Sequence, residues 1–400
     1  MKSKISIVSA GRLDHIDGLR AFAALYVVLH HIVFYVYDDL PLGPVKKFCN
    51  FIAFGHYAVD LFIVLSGFCL MLPVIRNSGK ISGGALNFFR KRAWRILPPY
   101  FSVLIVSLLL IWFLIGTGTG TVWNYSLPVT PAALLTHFFL IHDLFPATSH
   151  RINYCLWSIS VEWRIYFFFP LLVYGWSRFG ALITAAATTI FSFLLLIPLQ
   201  YTCLDTSVSG MCVHYYGLFT IGMLAAALGH SHNRRLVWLR SHIPWSVTFV
   251  LMASLAIFFN KGYYYQIRLP WQVQDLFVAL ATMSLLVAVT PSPTSDRWHW
   301  VRKALGWKPL AFVGTFSYSL YLLHSPVLQV IWVYFVHPLQ LPPSRSLLLL
   351  ATAGFASIMC AAYLFFLIFE RPFISSRKAR PGVSPLPEPL PEPAVAAVGL

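Results

Sequence analysis

The chain has 400 residues, of which 58% are hydrophobic, 16% aromatic and only 10% charged. A soluble domain carries about 25% charged residues, so this composition excludes an ordinary water-soluble globule and places the chain among polytopic membrane proteins. The formal net charge of +16 would suit a nucleic-acid or phosphate partner, but the accumulation of Lys and Arg in loops facing the cytoplasm accounts for most of it, and no nucleic acid is expected.

In chain order, "MKSKISIVSAGRLDH" is basic and lacks an apolar core or a small-residue cleavage site, so residues 1–13 read as a cytoplasmic segment leading into a retained signal anchor. Apolar runs of about 20 residues predict spans near 18–37, 51–75, 96–116, 156–176, 180–199, 213–230, 244–260, 272–290, 310–336 and 346–370. The stretch "PAALLTHFFLIHDL" (131–144) is too short to cross and reads as interfacial or re-entrant. The fold class is therefore an all-α polytopic membrane protein, with about ten transmembrane helices and both termini on one side. If that side is the cytoplasm, inner segments hold 22 of the 29 Lys and Arg and outer segments six, while Arg164 lies inside a span. That asymmetry sets the expected orientation as N-in and C-in. Residues 14–372 form one membrane domain, and residues 373–400, "PGVSPLPEPLPEPAVAAVGL" included, a disordered Pro-rich cytoplasmic tail. Cys203 and Cys212 share one predicted outer loop, where a disulfide and two free thiols are both open.

Ionisable groups are costly in hydrocarbon and point by default to function. The first span carries Arg20 near its inner end and His30 and His31 deeper. His31 lies eleven residues past Arg20, about 16 Å along a helix in a core of roughly 30 Å. "YAVDLFIVLSGF" brings Asp60 into the membrane from the outer side, and "LWSISVEWRIYFFFP" does the same for Glu162. Ser158, Glu162 and Tyr166 recur at i, i+4, i+8 and share one face. "GTFSYSLYLLHSP" carries Ser317, Tyr321 and His324 in one stripe from the inner side. Four helices thus deliver His31, Asp60, Glu162 and His324 to similar depth, which predicts a shared intramembrane polar cavity in preference to isolated helix-to-helix hydrogen bonds.

At the inner face, "NFFRKRAWRILPPY" (87–100) places Arg92 and Arg95 at i, i+3, where two guanidinium forks can meet a phosphate; ordinary inside-positive anchoring is the alternative. "GTGTGT" (116–121) has no Lys-Ser/Thr after it and is not a P-loop. "GHSHNRR" (229–235) has no Cys or acidic partner nearby, and no metal site is expected. His56 and Tyr57, at the outer mouth, are placed to touch an acceptor.

These motifs together resemble the membrane acyltransferase-3 family. Arg20 followed by His31, "VDLFIVLSGF" (59–68), "RAWRILPPY" (92–100), "WSISVEWRIYFFFPLL" (157–172) and "FSYSLYLLHSP" (316–326) carry the resemblance, in order, from about residue 14 to about 372. The resemblance implies an integral enzyme of the cell membrane, a bacterial inner membrane by default, that moves an acyl group, commonly acetyl, onto a hydroxyl. Acceptors implied are surface carbohydrates, lipid-linked sugars or small molecules. The family's essential His and Arg map onto His31 and Arg20, its Arg-X-X-Arg onto Arg92 and Arg95, and its Trp-Ser-X-Ser-Val-Glu onto Trp157, Ser158, Ser160 and Glu162. Two departures stand out. Trp163 and Arg164 follow Glu162, where many members have a second Glu and a Gln. The chain also lacks room after Glu370 for the hydrolase-like domain some members carry, which places any activity in the membrane domain, with or without a separate partner.

The expected mechanism uses acyl-CoA as donor substrate, acetyl-CoA by default, with no permanently bound cofactor. Arg20, Arg92 and Arg95 hold its phosphates, and His31 acts as general base on the acceptor hydroxyl. Glu162 or Asp60 orients the imidazole, Trp157 and Tyr321 line the cavity, and His324 or Ser158 stabilises the oxyanion. Direct transfer and an acyl-histidine relay both remain open. A proton-coupled exporter would also use buried His, Asp and Glu, but no internal repeat of the kind transporters show is found.

Overall fold

The structure, a computed structural model, describes residues 13–260, 269–291 and 297–375. The N-terminal segment up to residue 12, the loop charges Lys261 and Arg268 and the expected tail beyond residue 375 lie outside the described residues. Every regular element described is helical. Backbone polar groups that meet lipid instead of water must be satisfied within their own segment, and a helix does this.

Ten longer helices coincide with the ten apolar runs: α1 (Asp14–Phe34), α2 (Gly55–Arg76), α3 (Gly84–Leu110), α4 (Trp157–Phe179), α5 (Ala181–Leu199), α6 (Tyr215–His230), α7 (Trp245–Asn260), α8 (Trp271–Val289), α9 (Ser317–Ile331) and α10 (Phe355–Phe365). By length and composition seven helical segments can cross a membrane, or eight if Arg234–His242 and α7, bent by 72°, are one span. The helices outside that set are α4, which carries Glu162 and Arg164, and α6, which has only 16 residues. Length and composition thus support seven or eight crossings where the apolar runs suggest ten. The chain is a multi-pass membrane protein, and its surface agrees: Phe113 on the continuation of α3 and Phe191 on α5 are 77% and 66% exposed, suited to lipid and costly in water.

Helix α2 is the centre of the bundle. It packs against α1, α6 and α8, and 72% of its apolar window is buried, against 17% for α5. Its contact with α6 is backbone to backbone. A Cβ on Gly67 would lie 2.0 Å from the Phe219 carbonyl oxygen, and one on Gly222 2.0 Å from that of Val64. Small residues let membrane helices approach this closely, where dispersion and weak polar contacts replace the hydrophobic effect as glue.

The stretch 131–144 forms a short helix, Pro131–Phe138, capped by Thr130 Oγ1 at 3.1 Å from Ala133 N, and a 3₁₀ turn, His142–Leu144. Both are too short to cross. They fold back against α4, where His137 and His142 stack with ring centroids 3.7 Å apart and Ser160 Oγ sits 3.0 Å from His142 Nδ1. This segment also explains Arg164. Its guanidinium is 2.5 Å from the fully buried Asp143 and donates to the Met211 carbonyl at 2.9 Å. Burial pushes the Asp143 carboxyl up to about 6 against the pull of Arg164, so the pair is ionised at neutral pH and is lost as the pH falls through that value. All six cysteines are free thiols. Cys203 is exposed, whereas Cys212 is buried with Sγ 3.4 Å from the Val208 carbonyl, so the loop is not closed by a disulfide.

Two stability outcomes follow from these contacts. Gly222→Ala is expected to destabilise the protein by about 2 kcal/mol through overpacking. Gly175→Ala, whose Cβ would meet only the Thr184 side chain at 3.4 Å, should be neutral or better. Thermal unfolding in one detergent compares the two, and equal melting temperatures would remove the α2–α6 contact from its central place. Arg164→Gln strands a buried carboxylate and is expected to cost about 3 kcal/mol; Asp143→Asn in the same background should recover part of that loss in a double-mutant cycle.

Candidate functional site

A cavity of about 300 Å³ opens where α1, α2, α3, α4 and α9 meet. From α1 comes Arg20, from α3 Arg92 and Arg95, from α4 Ser158, Glu162 and Tyr166, and from α9 Tyr318 and Tyr321. The i, i+4, i+8 face of α4 thus lines the cavity as its spacing requires. Helix α2 adds Val59, Ile63, Ser66, Leu70 and Pro73, a single helical stripe. Three guanidinium groups against one carboxylate make the cavity electropositive. Arg92 Nε is buried with no hydrogen-bond partner, and its guanidinium sits 5.9 Å from the centre of the Phe88 ring. Arg20 lies 3.6 Å from Asp17. Glu162 accepts hydrogen bonds from Ser66 Oγ, at 2.9 Å, and from the Tyr166 hydroxyl. A half-buried carboxylate so held is satisfied without binding either cavity arginine on α3.

Beyond the far end of the cavity lies a histidine pair. Ser158 Oγ and the Tyr321 hydroxyl are 2.7 Å apart, and that hydroxyl donates to the Cys155 carbonyl at 3.0 Å. One turn further along α9, His324 Nδ1 is 2.6 Å from the Tyr321 carbonyl. A carbonyl only accepts, so in the neutral ring Nδ1 carries the proton and Nε2 the lone pair. That Nε2 faces His31 Nδ1 at 3.2 Å, which also lies 2.9 Å from the Val27 carbonyl. His31 Nδ1 is therefore the donor of its ring, and its Nε2 holds the lone pair, which meets the Cys155 thiol, a weak donor, at 3.7 Å. The neighbouring His30 is spent differently, with Nδ1 donating to the Ile52 carbonyl at 3.0 Å.

The structure separates residues that the sequence places together. His31 and His324 meet each other, and no hydrogen bond joins either to Glu162 among the described residues. Asp60 lines neither the cavity nor the histidine pair. It sits on the neighbouring face of α2, near His56, Asp275 and Tyr215. Trp157 packs its ring against Tyr215, with centroids 6.3 Å apart, and does not line the cavity. The imidazole partner of His31 is thus His324 and not a carboxylate.

Sequence reasoning missed Ser66, Cys155, Tyr318 and Asp275. Asp275 had a signal, an acid inside an expected span, while Ser66 and Cys155 are too common in apolar helices to be singled out without a neighbour. Two groups have donor atoms within 4.8 Å of one another, as a metal ion would require: His31, Cys155 and His324, and His56, Asp60 and Asp275. In the first group the His31 and His324 rings are already engaged by carbonyls and by each other.

Against known proteins, residues 13–367 match the family model described as an acyltransferase domain. YrhL of Bacillus subtilis (strain 168), provisionally named a peptidoglycan O-acetyltransferase, is 27% identical over 335 residues, covering 78% of this chain and 48% of its own. The O-acetyltransferase OatA of Staphylococcus aureus (strain NCTC 8325 / PS 47) is 24% identical, covering 81% of this chain and 52% of its own. Nodulation protein 10 of Rhizobium leguminosarum bv. viciae is 26% identical over 62% of this chain and 71% of its own. The chain thus spans about half the length of the first two relatives. No solved structure matches it. With a family model running from the start of α1 past the end of α10, the chain belongs to the acyltransferase-3 family.

Proposed function

We propose that the chain is a membrane O-acyltransferase that moves an acyl group, acetyl by default, from an acyl-CoA to a hydroxyl of an envelope carbohydrate or a similar acceptor. The observation that carries this reading is the electropositive cavity joined, through Ser158 and Tyr321, to a histidine whose Nε2 lone pair meets only the weak Cys155 thiol. An acyl-CoA is an anion with a long thin arm ending in a thioester. Arg20, Arg92 and Arg95 suit its phosphates, with charge-assisted bonds that Arg92 Nε does not make within the protein. The arm then runs along the α2 stripe toward Tyr321.

In this reading His31 Nε2 takes the proton from the acceptor hydroxyl as its oxygen attacks the thioester carbonyl. The tetrahedral intermediate collapses with cleavage of the C–S bond, and the same proton passes to the departing thiolate. His324 holds the reactive tautomer by accepting from His31 Nδ1, and its backbone-anchored Nδ1 keeps that ring from turning. Ser158 Oγ, held by a Tyr321 hydroxyl that is itself anchored on the Cys155 carbonyl, stands at the junction as the donor that turns to the developing oxyanion. Glu162 orients Tyr166 and Ser66 within the basic cavity and does not touch the base. The acceptor class rests on the named O-acetyl transfer of YrhL and OatA. The loop charges support an N-in, C-in topology in a bacterial inner membrane, with donor entry from the cytoplasm and residues 14–372 as the membrane domain.

The test uses purified protein in nanodiscs, with acetyl-CoA binding by calorimetry and slow thioester hydrolysis by thiol release. Arg92→Gln is expected to weaken acetyl-CoA binding by about 10- to 100-fold, the worth of one charge-assisted hydrogen bond. His31→Ala should bind normally and lose about 10²- to 10⁴-fold in turnover. If the wild type binds neither acetyl-CoA nor a longer acyl-CoA, the donor and this reading fall together.

A further inference from the structure

The polar groups that the acyl-transfer reading leaves unused converge on one place. His56 and Asp60 stand at i, i+4 on α2, and Asp275 faces them from α8. Asp60 and Asp275 are fully buried, whereas the His56 side chain is 23% exposed. Neither oxygen of Asp60 has a hydrogen-bond partner among the described residues, nor has Oδ1 of Asp275. His56 Nε2 lies 3.4 Å from that same Oδ1. The other oxygen of Asp275 is taken, with His214 Nε2 at 3.0 Å. So one carboxylate is oriented by a second imidazole, and its free oxygen is aimed at the space that Asp60 and His56 also face.

Two buried carboxylates within 4.8 Å of each other, with imidazoles and the Tyr215 hydroxyl as neighbours, repel unless a cation or a proton sits between them. No Lys or Arg pairs with either among the described residues. We propose that His56, Asp60 and Asp275 form a divalent-cation site that ties α2 to α8. One nitrogen and two oxygen donors, with an accessible side toward His56, suit Zn²⁺ or a similar first-row ion completed by water. The His214–Asp275 hydrogen bond is the outer partner that fixes a ligating carboxylate in such sites. The His31, Cys155 and His324 group is the weaker candidate, because its rings already have partners. The proposal is independent of the acyl-transfer reading, since none of its residues lines that cavity.

The experiment takes full-length, tag-free protein in nanodiscs, stripped with chelator, equilibrated with Zn²⁺ and desalted. Zinc per chain is measured by mass spectrometry and melting temperature with and without the ion. Wild type and Cys155→Ser are expected to retain about one zinc per chain and to melt higher with zinc. Asp60→Asn should lose both effects. His56→Gln, at the partly exposed ligand, should fold and bind at least about tenfold more weakly, so the proposal stays testable if Asp60→Asn fails to fold. No zinc and no shift in wild type would overturn it in favour of a proton shared by Asp60 and Asp275. Zinc retained by Asp60→Asn and His56→Gln, or lost only in Cys155→Ser, would overturn it by placing the ion elsewhere.

Discussion

At Gly67 and Gly222 the backbones of α2 and α6 touch, closely enough that a single methyl group on either would strike a carbonyl oxygen. In lipid this contact cannot rest on expelling water, and it depends on two complementary surfaces meeting without a gap. It fixes the rotation of α2 about its own axis, and that rotation places most of the polar chemistry described above. Gly67 is seven residues from Asp60, two turns on the same side, so the face that meets α6 also carries Asp60 and, one turn earlier, His56. Ser66 stands about 100° around the helix from Gly67 and heads the stripe that lines the cavity.

The result is a partition of buried polar groups by rotation as well as by depth. Arginines from α1 and α3 and the carboxylate of α4 meet on one side of α2. The histidines of α1 and α9 meet just beyond. Two aspartates and two histidines collect on the adjacent face of α2. Each set reaches a different balance. Glu162 is satisfied by hydroxyls, Arg164 by the carboxylate of Asp143, and His31 by a second histidine. Of the buried polar atoms without a partner among the described residues, Arg92 Nε faces the basic cavity, and the oxygens of Asp60 and Oδ1 of Asp275 face one another beside His56.

The histidine pair carries its own physical lesson. A carboxylate beside His31 would favour the protonated imidazolium and weaken it as a base at neutral pH. A second neutral imidazole fixes the tautomer without adding charge. Its own orientation is borrowed from the backbone, through the Tyr321 carbonyl, where α9 contributes rigidity that a flexible carboxylate would lack. Cys155 Sγ, 3.7 Å from His31 Nε2 and 3.5 Å from His324 Nε2, closes the remaining side with a single thiol proton that can serve one ring at a time.

By itself the amino-acid order determined the helices, because in a segment this apolar only intrahelical hydrogen bonds can satisfy the backbone. It also determined which face of α4 would be polar and which residues on α3 would be basic, since helical periodicity is a local property. The expected cavity of His31, Asp60, Glu162 and His324 did not follow from depth: the polar face of α4 meets instead Arg20, Arg92 and Arg95, which the sequence sets apart at the inner end. What only the tertiary structure decided was rotation and partnership. Depth along a span can be counted in residues, but the azimuth of Asp60 depends on how α2 meets α6, and no window of sequence around residue 60 contains Gly222 or Asp275. The same holds for His31 choosing His324 over a carboxylate, and for Arg164 finding Asp143 in a stretch too short to cross the membrane. Those choices are contacts between distant segments, fixed when the helices pack.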